Sequence, residues 1–218
     1  MMIELGEDAR ALGISIAFSR VRGVEVRGSG SKVIELAVEE VRRKYTLESL
    51  KEDPVVRAYR DFYWRIGIDP TKVRPSSEAL VRRILKEGLP SINSVVDSGN
   101  AASAITLVPI GLYDLGKVRG KLELRLARPG EIFKPIGGGE KVLSGGEPVL
   151  ADEDGPIFLY PHRDSVRTMI TQGTREVLIV AAGVPGVDAS LLRRAASLTL
   201  EFILETSGGE GEEVRVIF

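Results

Sequence analysis

Cysteine is absent from these 218 residues, which excludes disulfides, thiolate metal sites and a cysteine nucleophile together. Histidine occurs once, as His162, so a multi-histidine metal site within one chain is excluded too; a carboxylate-only site stays open, and no metal or cofactor is expected. Net charge is also lacking. With 30 Lys and Arg against 31 Asp and Glu, no overall positive field draws the chain onto DNA, although a local basic face stays open. No stretch approaches the ~20 apolar residues that span a bilayer. The opening MMIELGEDARALGI lacks a basic segment followed by an apolar signal stretch. A cytoplasmic protein with no membrane partner is the expectation.

What is present suits a folded domain: 43% hydrophobic and 28% charged residues, in a chain long enough to bury its own core. A single domain over 1–218 is expected. Residues 12–18 and 21–27 read as two strands, and RGSGS (27–31) leads into a helix over 32–44 with Ser31 as its cap. Asp53-Pro54 opens a second helix, closed by Gly67, that carries most of the aromatics. Ser76 or Ser77 caps a third, which ends at Gly88. From about Thr106 short strands take over at 122–127, 131–136, 148–152, 156–160 and 175–184. Asp188 then caps a long helix, and EEVRVIF forms an edge strand. Helices first and strands second argue an α+β fold.

Several segments carry polar groups that chemistry uses. RGSGSK (27–32) lies where a helix N-terminus can hold phosphate, but it lacks the G-K-(S/T) ending and reads as a plain strand-to-helix turn. IGGGEK (136–141) reads as a hairpin tip. On the aromatic helix, Arg57, Arg60 and Arg65, followed by Lys72 and Arg74, form a candidate nucleic-acid face. There Tyr59, Phe62 and Tyr63 either stack bases or form the buried stripe. PHRDSVRTMITQGT (161–174) gathers His162, Arg163, Asp164, Ser165, Thr168 and Thr171. Its spacing does not suit a Ser–His–Asp triad, yet its density of polar groups suits the lining of a pocket. In GLPSINSVVDSGNAAS (88–103), Asn93, Asp97 and Asn100 fall four and three apart on one helical face. They either tie neighbouring loops together or face a polar cavity.

From Arg74 to Val184 the chain resembles, motif by motif, the tRNA-binding and editing domain of the phenylalanyl-tRNA synthetase β subunit. GLPSINSVVDSGN (88–100) is similar to that family's G-(L/I)-R-P-I-N-x-V-V-D-x-x-N. VPIGLYD (108–114) is similar to Q-P-x-H-x-(F/Y)-D through Pro109, Tyr113 and Asp114, and LRLARPGE (124–131) to V-R-x-A-x-x-G-E through Arg125, Ala127, Gly130 and Glu131. LADEDGP (150–156) is similar to I-A-D-x-x-x. The resemblance implies a mixed α+β domain with a β-sandwich-like core flanked by helices, residues 1–73 packing on it as N-terminal strands and helices. It implies a freestanding copy that lacks the synthetase's catalytic and anticodon-binding parts. The implied substrate is an aminoacyl ester on a tRNA 3′ end, hydrolysed by water held in place rather than by an activated side chain. Asn93, Asp97, Asn100, Gly111, Arg163, Asp164, Ser165, Thr168 and Thr171 are then substrate-binding residues, with Asp164 accepting a hydroxyl bond from the aminoacyl group. Two departures stand out: Pro90 and Ser91 replace the family's R-P, and Gly111 replaces its histidine. They motivate the alternative of a non-catalytic module that binds tRNA or a small ligand.

Overall fold

The computed structural model describes residues 3–218. In chain order it comprises β1 (Ile3–Leu5), α1 (Glu7–Ala11), β2 (Ser15–Arg22), α2 (Ser31–Lys44), α3 (Leu47–Glu52), α4 (Pro54–Arg65), α5 (Ser76–Lys86) and α6 (Ser94–Thr106). After them come β3 (Ile110–Asp114), β4 (Leu122–Leu126), β5 (Ile132–Phe133), β6 (Lys141–Val142), β7 (Pro148–Asp152), β8 (Gly155–Leu159), β9 (Arg163–Asp164) and β10 (Glu176–Gly183). Helix α7 (Ala189–Ser207) and the short strands β11 (Glu210–Gly211) and β12 (Arg215–Ile217) close the described chain.

One sheet has the order β1-β4-β7-β8-β9, the other β11-β2-β10-β3 with β12 also on β2, and β5 and β6 form a separate hairpin. Between the two larger sheets lies a core to which one contributes Leu122, Leu150 and Phe158 and the other Ile16, Tyr113 and Leu178. The second sheet is covered again on its far side. There Ala17, Val21 and Ile179 meet Leu192, Ala195 and Ile203 of α7, so β10 is apolar nearly throughout, as a strand buried on both faces must be. The α+β, sandwich-like architecture read from the sequence is therefore the observed one.

Local departures have local causes. Instead of two strands at 12–18 and 21–27 there is one, β2, because Arg20 and Arg22 do not break it. Their side chains reach Glu176 and Glu212 along the ladder, and the strand stops at Gly23, where φ is +71°. Helix α2 is capped by Gly30 and not by Ser31, which is already helical; α5 follows Pro75, and neither Ser76 nor Ser77 supplies a side-chain cap. Of 131–136 only Ile132–Phe133 is strand. The turns at 27–32 and 136–141 are plain turns, the latter with Gly137, Gly138 and Gly139 all at positive φ. Asp53 and Asp188 cap α4 and α7 as expected, accepting from Val55 and Ser190 N–H at 2.9 and 2.6 Å. No helix among the described residues is long and apolar enough to cross a membrane.

Candidate functional site

A cavity of about 690 Å³ opens between α5, the middle of α6, the start of β3 and the β8–β9 turn. Helix α5 supplies Arg82, Arg83 and Lys86, the loop before it Lys72 and Arg74, and the start of β9 Arg163. Among the described residues Arg74, Lys86 and Arg163 have no carboxylate partner, whereas Arg82 is held by Glu78 at 2.7 Å, Arg83 lies 3.6 Å from Glu87 and Lys72 lies 4.0 Å from Asp69. Asp164 is the one carboxylate lining the cleft, which Asn100, Ser103 and His162 also line. A concave wall with six cations and a single acid is suited to an anionic ligand.

Burial pushes the Asp164 carboxyl up to about 6, offset in part by the hydrogen bond it accepts from the Tyr113 hydroxyl. That bond is 2.7 Å long and ends on Oδ1. Tyr113 is itself fully buried, and burial together with the nearby carboxylate raises its phenol far above the usual range. Burial, with Lys141 and Arg163 adding to it, pulls His162 down to about 4, so its ring is neutral at pH 7.

The residues anticipated from sequence divide into three groups. Asn100, Arg163, Asp164, Lys72 and Arg74 meet at the cleft. Asn93 and Asp97 are internal ties. Asn93 is the cap of α6, its Oδ1 accepting from Val96 N–H at 3.0 Å. Asp97, 0% exposed, accepts from Gly30 N–H, Ile92 N–H and Ser91 Oγ at 2.9, 2.7 and 2.5 Å. Those bonds fasten the 28–30 turn to the start of α6, and the carboxylate occupies the place at that turn where a phosphate would sit. The remainder lie off the cleft. Gly111 is buried beneath Tyr113, Ser165 accepts from Arg167 N–H at 3.2 Å, Thr168 is buried, and Thr171 N–H donates to Thr174 Oγ1 at 2.9 Å.

The face on α4 is built differently from the expectation. Tyr59, Phe62 and Tyr63 are the buried stripe, exposed by 3% or less, and so cannot stack bases. Arg60 grips the fully buried Glu78 through two bonds of 2.8 and 2.5 Å. Arg57 pairs with Glu52, and Arg57 and Arg65 border another depression beside Asp61. The cations sequence reasoning missed, Arg82, Arg83 and Lys86, are those of α5. Their signal was available, since positions 82, 83 and 86 share one flank of an amphipathic helix.

The class is thus an α+β domain with a basic cleft at the edge of its sandwich. The family described as the B3/4 domain matches residues 58–208, and the chain belongs to that family. It is 34% identical over 116 residues to the phenylalanine–tRNA ligase beta subunit of Nocardia farcinica, covering 53% of this chain and 14% of that protein. To the same subunit of Bartonella quintana it is 26% identical over 165 residues, covering 65% and 20%. This chain therefore matches a fifth or less of either relative. An N-terminal fragment of the phenylalanyl-tRNA synthetase beta-subunit from Pyrococcus horikoshii superposes with a TM-score of 0.54 at 14% identity, over 96% of this chain and 50% of that one. That likeness shows a shared fold.

Proposed function

We propose that the basic cleft holds the 3′ end of an aminoacyl-tRNA and that the domain hydrolyses the aminoacyl ester. The observation that carries this reading is the juxtaposition of six cationic side chains with the single carboxylate of Asp164 in one cavity. Arg74, Lys86 and Arg163 meet phosphate oxygens. Asp164, ionised above pH 6, accepts a hydrogen bond from the aminoacyl group through Oδ2, because Oδ1 is taken by Tyr113. Asn100 and Ser103 lie where polar groups can orient water or the ester. A histidine with a pKa near 4 is a weak base, so His162 holds water rather than ionising it, and positioning provides the acceleration. Membership of a family whose relatives are phenylalanine–tRNA ligase beta subunits supports tRNA as the partner.

The test is a panel of mischarged tRNAs incubated with the purified protein. Deacylation of at least one above its spontaneous rate, lost in Asp164→Asn, is expected; no deacylation of any refutes hydrolysis. The Tyr113–Asp164 bond favours a second reading, a module that binds without catalysis, since a carboxylate already engaged by the protein is less available to a substrate. Tight tRNA binding with no turnover on the same panel identifies it.

A further inference from the structure

The cleft is lined by six cations and one carboxylate, yet no lysine or arginine among the described residues pairs with Asp164. Arg82, Arg83 and Lys72 turn instead to Glu78, Glu87 and Asp69. The one donor to the Asp164 carboxylate among the described residues is the Tyr113 hydroxyl, on Oδ1. Tyr113 is fully buried, so Oδ1 is turned toward the core and Oδ2 is the oxygen left for the cleft. That oxygen is accessible. Asp164 is half-buried, and the buried side-chain atoms that lack a partner among the described residues are Tyr63 Oη, Glu147 Oε2, His162 Nδ1 and Thr168 Oγ1. Oδ2 of Asp164 also lacks one but is not of that group, so it keeps solvent-accessible surface.

A carboxylate held partly away from water without a counter-ion costs stability, and burial raises this one to about 6. It is still an anion at pH 7, open to a cation that the protein does not supply. The 3′ end of an aminoacyl-tRNA carries a negative charge on each phosphate, while its bases and its ester are neutral. Its one positive charge, any basic side chain aside, is the α-ammonium group, which is mostly protonated at pH 7. One acid among cations on the protein therefore matches one ammonium among phosphates on the ligand.

We propose that Asp164 Oδ2 receives the α-ammonium group of the aminoacyl ester, so that the cleft takes esters with a free amine and rejects those whose amine is acylated, as in a peptidyl ester. This rests on the reading that the cleft holds an aminoacyl-tRNA end. Acylation removes the positive charge and adds bulk at the one acceptor placed for it.

Fluorescence anisotropy at pH 7 with the full chain and a labelled CCA-ended oligonucleotide tests it. Four 3′ ends are compared: a free hydroxyl, and glycyl, glycolyl and N-acetylglycyl groups joined through an amide that resists hydrolysis. Glycolyl replaces the ammonium by a neutral hydroxyl, which separates charge from size. The glycyl end should bind about tenfold tighter than the glycolyl and N-acetylglycyl ends, and Asp164→Asn should bring the three within about twofold of one another. Glycyl and glycolyl ends that bind equally well to wild type overturn the proposal while leaving the cleft as the tRNA site, and so does a glycyl preference that survives in Asp164→Asn. No binding of any of the four ends overturns the reading of the cleft and the proposal with it. The comparison of ends on wild-type protein decides the matter if Asp164→Asn fails to fold.

Discussion

Arg60 looks from the sequence like an RNA contact, yet the structure makes it a strut, and Arg60→Ala separates the two roles. Glu78 is 0% exposed on its side chain, Arg60 27% and Arg82 18%. Burial alone would raise the Glu78 carboxyl; the hydrogen bonds from Arg60 and Arg82 outweigh it and hold the group below the usual carboxylate range. Removing Arg60 leaves a buried carboxylate with Arg82 alone. Breaking a buried pair from one side costs about 3 kcal/mol or somewhat more, equivalent to about 6–12 °C in Tm for a chain of this size. Because the folded pKa is depressed, the stabilisation is present above the ordinary glutamate range and is lost as pH falls through the lowered folded value. The gap between wild type and Arg60→Ala should therefore be full at pH 7 and shrink below about pH 4. Urea unfolding followed by far-UV circular dichroism at both pH values measures it. A variant that unfolds with wild type at pH 7 refutes the assignment. The affinity for RNA should stay close to wild type in conditions where the variant is folded.

The cleft makes a complementary prediction. If Arg74, Lys86 and Arg163 meet phosphates of a single-stranded 3′ end, log K should fall with log salt with a slope near about −2, and Arg163→Ala should make the slope shallower by about 0.7; fluorescence anisotropy of a labelled CCA-ended oligonucleotide across a salt series measures both. Asp164→Asn should stabilise the fold at pH 7 by about 2 kcal/mol, because a carboxyl whose folded pKa is raised to about 6 destabilises the native state once both states have lost the proton. The gain should vanish below about pH 4, where aspartate is protonated folded and unfolded alike; unfolding at pH 7 and pH 4 checks the sign.

Much of this was legible because local rules and tertiary packing agreed. Asp53-Pro54 and Asp188 signal helix starts in a few residues, and the unbroken apolar run of β10 has one sensible fate, a strand covered on both faces. The polar face of 88–103 was legible as important but not as to its kind. Asn93 and Asp97 bond to backbone groups 3–67 residues away, and spacing along a helix carries no information about a turn that distant. The α4 arginines misled for a related reason. A cation's partner decides whether it is a strut or a free charge, and Glu78 lies 18 residues from Arg60. The cleft needed both signals at once, the basic flank of α5 and the β8–β9 turn that brings Arg163 and Asp164 up to it.

Gly111, Tyr113 and Asp164 are best understood as one arrangement. Residues 111 and 113 point to the same face of β3, and a Cβ at position 111 would lie 2.1 Å from the Tyr113 hydroxyl and 2.7 Å from its Cζ. Tyr113 cannot swing aside, being fully buried and held by Asp164. The absence of a side chain at 111 is thus what lets the phenol lean across the strand to the carboxylate, and the residue that resembles the family's histidine position is tied to the chemistry of Asp164 without touching the cleft. Gly111→Ala should cost about 1–3 kcal/mol through overpacking and raise the Asp164 pKa further by displacing its donor. Tyr113→Phe removes both the donor and the nearest clashing atom. It should raise the same pKa by itself, and Gly111→Ala made in that background should cost less than in wild type, with a coupling above about 0.5 kcal/mol. Unfolding free energies of the four proteins, with the Asp164 carboxyl titrated by NMR in each, close the cycle. Additive free energies, or an Asp164 pKa that does not move in Tyr113→Phe, would show that the three residues are neighbours rather than a unit.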